Sequence, residues 1–443
     1  MKLLLLSLLL FCAPLQAAIR YDIDDPQQLA RVNDLTLSAA VVEIFWQAYN
    51  HPSRPLSPPQ AMQRIIDDAL LAAHARQTLT PQQLQQENTV GFLLQVQQQD
   101  RATALLRKYY EKPLYQAIQQ LPGSSLDGIY QFAEEINEQW LQQHFALLSR
   151  VNIEATAAQQ QLAENTVIAR VRLAGNSHTL SLWDIYRRQN VQGRLAIHNA
   201  DLQFLRGQAK QRAGSLFVLD WTQRKMGERD FNAVFQIVKN EQDKTTLLRN
   251  MGLYADVHDD NPVLRDAAKK VTDAQVKAFY QANKQEFKVV EKVRARHIRV
   301  QTQQLADEVH EALKNGLEFS AAVSRYSVAD DKHNTPAGDL GWLKRADKNR
   351  NWLYSVAFTQ PQGAFSMPFR SPQNQGDIVY EIVYIDERVD GFLPLTDPTV
   401  RYEASRDVAL KQLKNDFYQL QQRLRQQADI SLNKRALADG NKR

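Results

Sequence analysis

The sequence VRARHIRV, residues 293–300, opens the stretch that decides the fold. Its length and β-branched residues predict a strand. An amphipathic helix is predicted next, because Leu305, Val309 and Leu313 recur at helical spacing. Asn315-Gly316 then suits a left-handed helix C-cap. These residues predict a strand followed by a helix that packs on it.

The rest of this stretch, to residue 386, predicts two more helices, a loop and two strands. A second short helix carries Phe319, and a turn-rich loop follows that ends in GDLGW, residues 338–342. A third helical piece ends in Ala357-Phe358, and two strands are predicted around residues 365–368 and 378–385. The order β-α-α-loop-α-β-β predicts a compact α+β domain.

Several fragments of this stretch resemble the parvulin family of peptidyl-prolyl isomerases. They are residues 296–300, Asn315-Gly316 followed by Phe319, Tyr326-Ser327, residues 338–342 and Ala357-Phe358. The whole chain resembles periplasmic foldases of the SurA and PrsA type. That resemblance implies an α+β chain in which a mostly helical chaperone module carries an inserted parvulin-like domain.

Four segments follow from this resemblance. They are a signal peptide over residues 1–18, a helical chaperone module over 19–288, a parvulin-like domain over 289–390, and a C-terminal segment over 391–443. The last segment contains a long predicted helix whose apolar residues lie on one face, and the resemblance implies that this helix returns to the first module. The apolar face consists of Ala409, Leu413, Phe417, Leu420 and Leu424.

The N-terminus has the pattern of a targeting segment. Lys2 precedes a short leucine-rich core, and small residues end it near Ala17 and Ala18. The core is short for a membrane span, so cleavage and a periplasmic protein without a stable membrane span are expected. A retained, uncleaved anchor is the alternative. Cys12 is the only cysteine and lies within this segment, so no disulfide framework is predicted.

Length and charge narrow the class of protein further. A chain of 443 residues predicts two or three domains. The net charge is +5, from 54 basic and 49 acidic residues, and this near balance predicts no nucleic-acid partner.

A weak internal repeat follows the signal segment. Residues 29–46 and 168–186 share a short strand pair that ends at a serine able to cap the next helix, Ser38 and Ser181. Helical apolar stripes then dominate the chain to about residue 283. They are interpreted as bundle core, or as surface that in part stays open to bind unfolded chains.

The resemblance implies a reaction that breaks no bond. Rotation about a peptide bond faces a barrier of about 18–20 kcal/mol, and an enzyme lowers it by binding the twisted amide better than the planar one. No nucleophile, metal or cofactor is therefore implied. The expected partners are unfolded or proline-containing polypeptides, outer-membrane proteins among them.

Site residues are transferred from the family one position at a time. His297 matches the first of two histidines on the floor of the parvulin site. The residue that bridges the histidines is Asp330 or Asp331, and spacing leaves both open. Leu340, Leu353 and Phe358 match apolar positions that grip the proline, although each also suits ordinary core packing.

Three departures from the family pattern lower the expected turnover. The family's methionine falls near Asn349, and its phenylalanine falls on Leu353. The second histidine is missing, and Ile378 or Tyr380 is expected at its position. Three functions therefore stay open: a periplasmic isomerase and chaperone with modest activity, a non-catalytic chaperone, and an assembly subunit of an envelope complex.

Overall fold

The structure is a computed structural model that describes residues 20–85, 92–147, 153–253, 261–348, 351–372 and 378–433. Its helices and three small sheets confirm the predicted α+β class. The described residues fall into two compact units. The first contains residues up to Val263 and those from Leu413 onwards, and the second contains residues 264–412. The predicted signal peptide and Cys12 lie outside the described residues.

The first part of the chain is mainly helical with two strand hairpins. Its elements are β1 (Gln28–Val32), β2 (Leu35–Ser38), α1 (Ala39–Tyr49), α2 (Pro58–Thr78), α3 (Pro81–Leu84), α4 (Leu94–Tyr109), α5 (Glu111–Gln119), β3 (Tyr130–Phe132), α6 (Glu138–His144), α7 (Ala157–Asn165), β4 (Val167–Leu173), β5 (Asn176–Ser181), α8 (Leu182–Tyr186), α9 (Val191–His198), α10 (Leu202–Met226) and α11 (Glu228–Asn250).

The two copies of the internal repeat have the same local structure. β1 pairs with β2 and β4 pairs with β5, each antiparallel, and a helix begins directly after each hairpin. The Oγ of Ser38 accepts the N–H of Val41 at 3.2 Å, and the Oγ of Ser181 accepts the N–H of Asp184 at 3.0 Å. Both serines therefore cap a helix as their positions predict.

Most of the apolar stripes in the first unit form its core. Ile65 from α2, Leu106 from α4 and Ile237 from α11 are buried in one cluster with both hairpins. Phe92 is an exception, because 42% of its surface is exposed. Bundle core is thus the main role of these stripes.

The chain continues with α12 (Pro262–Lys269), α13 (Asp273–Ala282), β6 (Lys288–Val300), α14 (Gln303–Lys314), α15 (Phe319–Tyr326), β7 (Asp339–Lys344), α16 (Trp352–Ala357), β8 (Phe369–Arg370), β9 (Tyr380–Phe392), α17 (Pro398–Gln427) and β10 (Ile430–Leu432).

The second unit is built on a four-stranded antiparallel sheet in the order β7-β6-β9-β8. Side chains alternate between its two faces along β6 and β9. Ile298 and Ile382 lie on one face, under α14 and α15. Ala295 and Val383 lie on the other face, with residues of α16. The sheet is therefore buried on both faces.

Two local expectations for this domain were wrong. Residues 338–342 were expected in a loop, but β7 begins at Asp339 and pairs along β6. A strand was expected at residues 365–368, but β8 is Phe369–Arg370. The strand predicted at residues 365–368 is weakened by Pro368, which has no N–H to donate. β7 forms despite its turn-rich sequence because it pairs with β6, which is distant in the sequence.

The C-terminal end of the chain belongs to the first unit. β10 pairs antiparallel with β1, with Ala30 opposite Leu432 and Val32 opposite Ile430. In the last part of α17, Leu420 packs against Leu71 from α2 and Leu247 from α11. The last strand thus extends the sheet formed by the first hairpin.

The predicted boundaries at residues 288 and 390 stay predictions, and the contacts extend the second unit beyond both. Phe287, Leu393 and Val400 form one small buried cluster in this unit. The hydroxyl of Tyr280 donates a hydrogen bond to the carbonyl of Leu393 at 2.8 Å. The helix before the sheet and the segment after it are joined by these contacts.

Across the described ranges, no helix has both the length and the apolar character needed to cross a membrane.

Candidate active site

His297 lies near the end of β6, in the interior of the second unit, with only 2% of its surface exposed. Its backbone N–H donates to the carbonyl of Gly338 at 3.0 Å. Gly338 has φ +74°, and a Cβ there would lie 2.5 Å from the carbonyl oxygen of His297. Glycine is therefore required where the loop before β7 passes over the histidine.

Both ring nitrogens of His297 contact carboxylates. Nε2 lies 2.6 Å from Oδ2 of Asp331, and Nδ1 lies 2.6 Å from Oε2 of Glu381. The other oxygen of Glu381, Oε1, accepts a hydrogen bond from Nε of Arg299 at 2.6 Å. The result is a continuous chain, Asp331–His297–Glu381–Arg299, with two carboxylates and two basic groups.

The structure distinguishes the two aspartates that spacing left open. Asp331 contacts His297, whereas Asp330 is exposed at the start of a single 3₁₀ turn. The backbone also supports Asp331, because its carbonyl accepts the N–H of Gly338 at 2.9 Å. Of the two aspartates, Asp331 is therefore the one in contact with the histidine.

Sequence reasoning missed Glu381. It named Ile378 or Tyr380 for the position of the second histidine, but Ile378 is exposed and Tyr380 packs with the cluster on the opposite face of the sheet. A shift of one residue along a strand exchanges the two faces, so an error in counting the gap selects the wrong side chain. The available signal was an acidic residue inside an otherwise apolar strand, which requires a buried partner.

The three predicted apolar residues lie on the same face of the sheet as the histidine. Leu340, Leu353 and Phe358 pack in the cluster that contains Val383. Glu381 shares this face with Val383 because the two residues are two apart on β9. Leu353 is buried, and the other two are only partly buried. The position near Asn349 lies outside the described residues.

The charges of the site favour a protonated histidine. Burial by itself lowers the pKa of His297, but the hydrogen bond and negative charge of Glu381, together with those of Asp331, outweigh burial and raise it above its ordinary value. Oδ1 of Asp331 is buried and has no hydrogen-bond partner among the described residues. One carboxylate oxygen beside the histidine is thus left uncompensated.

The stability of the second unit is expected to depend on pH through His297. A raised folded-state pKa means that the stabilisation is complete below the unfolded value, near 6.5, and is lost as the pH rises through the folded value. The difference in unfolding free energy between the chain and a His297→Gln variant should therefore be largest below the unfolded pKa of 6.5 and should shrink as the pH rises through the folded-state pKa. Urea denaturation at several pH values measures it, and a constant difference would contradict the assignment.

Comparison with known proteins agrees with this geometry. The PPIC-type PPIASE domain family matches residues 271–395. The periplasmic chaperone PpiD of Haemophilus ducreyi is 26% identical over 148 residues, which are 33% of this chain and 22% of PpiD. The foldase protein PrsA of Bacillus subtilis is 32% identical over 102 residues, which are 23% of this chain and 32% of PrsA. This chain therefore spans less than a third of either curated relative.

Solved structures give a weaker comparison. A chain from the structural study of the SurA-like chaperones PEB4 and Cj1289 of Campylobacter jejuni aligns with 54% of this chain and 85% of its own length. The sequence identity is 19% and the TM-score is 0.21. Residues 271–395 therefore match the family of PPIC-type, or parvulin-type, peptidyl-prolyl isomerase domains, in a chain that is similar in part to the foldase PrsA and the chaperone PpiD.

Proposed function

We propose that this chain is an exported foldase that combines peptidyl-prolyl cis-trans isomerisation with binding of unfolded polypeptides. The observation that carries the proposal is the position of His297, held between Asp331 and Glu381 on the face of the sheet that carries the apolar residues. The family match of residues 271–395 supports the reaction class. The names of the relatives, periplasmic chaperone and foldase, support the cellular role.

The proposed site acts by position and polarity. The planar amide places negative charge on its carbonyl oxygen, and that charge is lost as the bond twists. A fixed negative group beside this oxygen disfavours the planar form, and the charge of Asp331 is suited to that role. The partly buried Leu340 and Phe358 supply an apolar surface for the proline ring.

His297 is a positioning residue in this proposal. Both of its ring nitrogens are occupied by carboxylates, so neither is free to donate to a bound peptide. Its charge fixes Asp331 and Glu381 in place, and Arg299 holds the far side of Glu381. Glu381 contacts His297 directly, and the absence of a second histidine supports an expectation of modest turnover.

The test is a proline-peptide isomerisation assay with the full chain. Uncatalysed X-Pro isomerisation takes tens of seconds or longer, so a modest acceleration is measurable. We expect the chain to accelerate the reaction in proportion to its concentration. A rate equal to the background at all concentrations would remove the isomerase function and leave the non-catalytic chaperone, which the replacement of the second histidine by Glu381 favours.

Client binding needs a separate measurement. The proposed clients are exported polypeptides, including outer-membrane proteins, that this chain meets in the periplasm after cleavage near Ala17 and Ala18. We expect the chain to suppress aggregation of an unfolded outer-membrane protein when it is in several-fold excess. Unchanged aggregation at that ratio would favour the remaining alternative, an assembly subunit of an envelope complex.

A further inference from the structure

The first unit contains a cavity of about 400 Å³ that is separate from the isomerase site. It lies among residues of α4, α8, α9 and α10. Its wall combines aromatic rings, amide side chains and two arginines, and the residues that matter below are Phe92, Arg188, Gln192, Phe204, Gln208 and Arg212.

Arg212 is the unusual member of this wall. Its Nη1 is buried and makes no hydrogen bond to any of the described residues. Burial, followed by the charge of Arg188, lowers the pKa of Arg212 to about 10, so the side chain is still a cation at neutral pH. A buried guanidinium nitrogen without an acceptor is costly, which indicates that a ligand oxygen completes this site.

The neighbouring charges are already paired. Nη1 of Arg188 donates to Oε1 of Gln99 at 2.7 Å, and Nη2 contacts Asp100. Arg187 and Asp184 pair with each other at 3.2 Å. The cation of Arg212 is therefore the charge in excess, and a ligand with one negative charge balances it.

We propose that this cavity binds a carboxylate of a polypeptide client, with Arg212 as its donor. The inference deepens the proposed client binding and rests on it. A planar guanidinium matches a planar carboxylate. The amides of Gln192 and Gln208 suit the peptide groups next to that carboxylate, and the rings of Phe92 and Phe204 suit an apolar side chain beside it. The carboxylate belongs either to the chain terminus of the client or to an acidic side chain.

Three labelled short peptides distinguish these sources by fluorescence anisotropy with the full chain. The first ends in leucine with a free carboxylate and has no acidic residue. The second is the same peptide as its C-terminal amide. The third is the amide with one internal glutamate. We expect the amide without glutamate to bind at least tenfold more weakly than one of the other two, and the stronger peptide identifies the source. Equal binding of all three, or no binding of any, overturns the proposal.

Arg212→Gln and Arg224→Gln form a matched pair of variants on α10. Arg224 lies on the same helix outside the cavity and pairs with Asp220. We expect Arg212→Gln to lose the preference for the carboxylate peptide while its melting temperature stays equal or rises, because the buried N–H group that has no acceptor is removed. Arg224→Gln should keep the preference. A fall in the melting temperature of Arg212→Gln, or retention of the preference, overturns the proposal.

Proline-peptide isomerisation and suppression of client aggregation are measured on the same two variants. If the unaltered chain shows both activities but no preference for the carboxylate peptide, this inference alone fails. If the unaltered chain shows neither activity and binds none of the peptides, the proposed function itself fails.

Discussion

Replacing Glu381 with alanine is expected to lower the free energy of unfolding of the second unit by about 3–5 kcal/mol. Glu381 is fully buried and contacts both His297 and Arg299. Its removal leaves a buried imidazolium beside Asp331 alone and leaves Nε of Arg299 without its acceptor. Breaking a buried ion pair on one side is far more destabilising than never forming it, because the remaining charge stays desolvated.

Urea denaturation of the full chain, followed by a probe in the second unit, measures this change. Glu387→Ala is the matched control, because Glu387 lies on the same strand, is mostly exposed and is 3.9 Å from Arg294. That surface pair should contribute at most about 1 kcal/mol to the free energy of unfolding. Equal losses in the two variants would mean that the buried network contributes nothing special to stability.

The milder Glu381→Gln variant separates charge from packing. It keeps the size of the side chain but removes the leading group that raises the pKa of His297. The pKa of His297 should therefore fall, which NMR titration of the imidazole detects. An unchanged pKa would show that Asp331 alone maintains the protonated ring.

Replacing His297 with alanine is expected to reduce kcat/KM for proline-peptide isomerisation on the order of 10²-fold, the loss typical of removing one preorganised polar group from an active site. The ring holds Asp331 at 2.6 Å and Glu381 at 2.6 Å, so its removal frees the carboxylate of Asp331 and leaves Glu381 bound to Arg299 alone. If the role is positioning, the loss should lie mainly in kcat and the profile of activity against pH should flatten.

Two further variants protect this test from a loss of folding. Asp331→Asn keeps the shape of the side chain that contacts His297 but removes its charge, and it should also reduce activity. Asp330→Asn makes the same chemical change one residue earlier, at an exposed side chain, and should leave activity unchanged. Equal activity of these two variants, each with native circular dichroism, would contradict the assignment of Asp331.

The sequence predicted the elements whose signals are local. The helix after residue 300 was expected from Leu305, Val309 and Leu313, and α14 ends as predicted at Asn315, with Gly316 at φ +95°. Thr272 and Gln275 form a capping box at the start of α13, a feature of the same local kind. Such features depend on residues within one or two helical turns, so the spacing of side chains along the chain is sufficient to predict them.

The sequence by itself determined the α+β class, the capped helices and the placement of His297 on a strand. Only the tertiary structure decided that Asp331 and not Asp330 contacts the ring, that Glu381 completes the network, and that Nη1 of Arg212 has no hydrogen-bond partner among the described residues. The physical reason is the separation of the interacting residues along the chain. Caps and stripes form between near neighbours, whereas these charges meet across 34 and 84 residues of chain, where strand register decides which side chain faces inward.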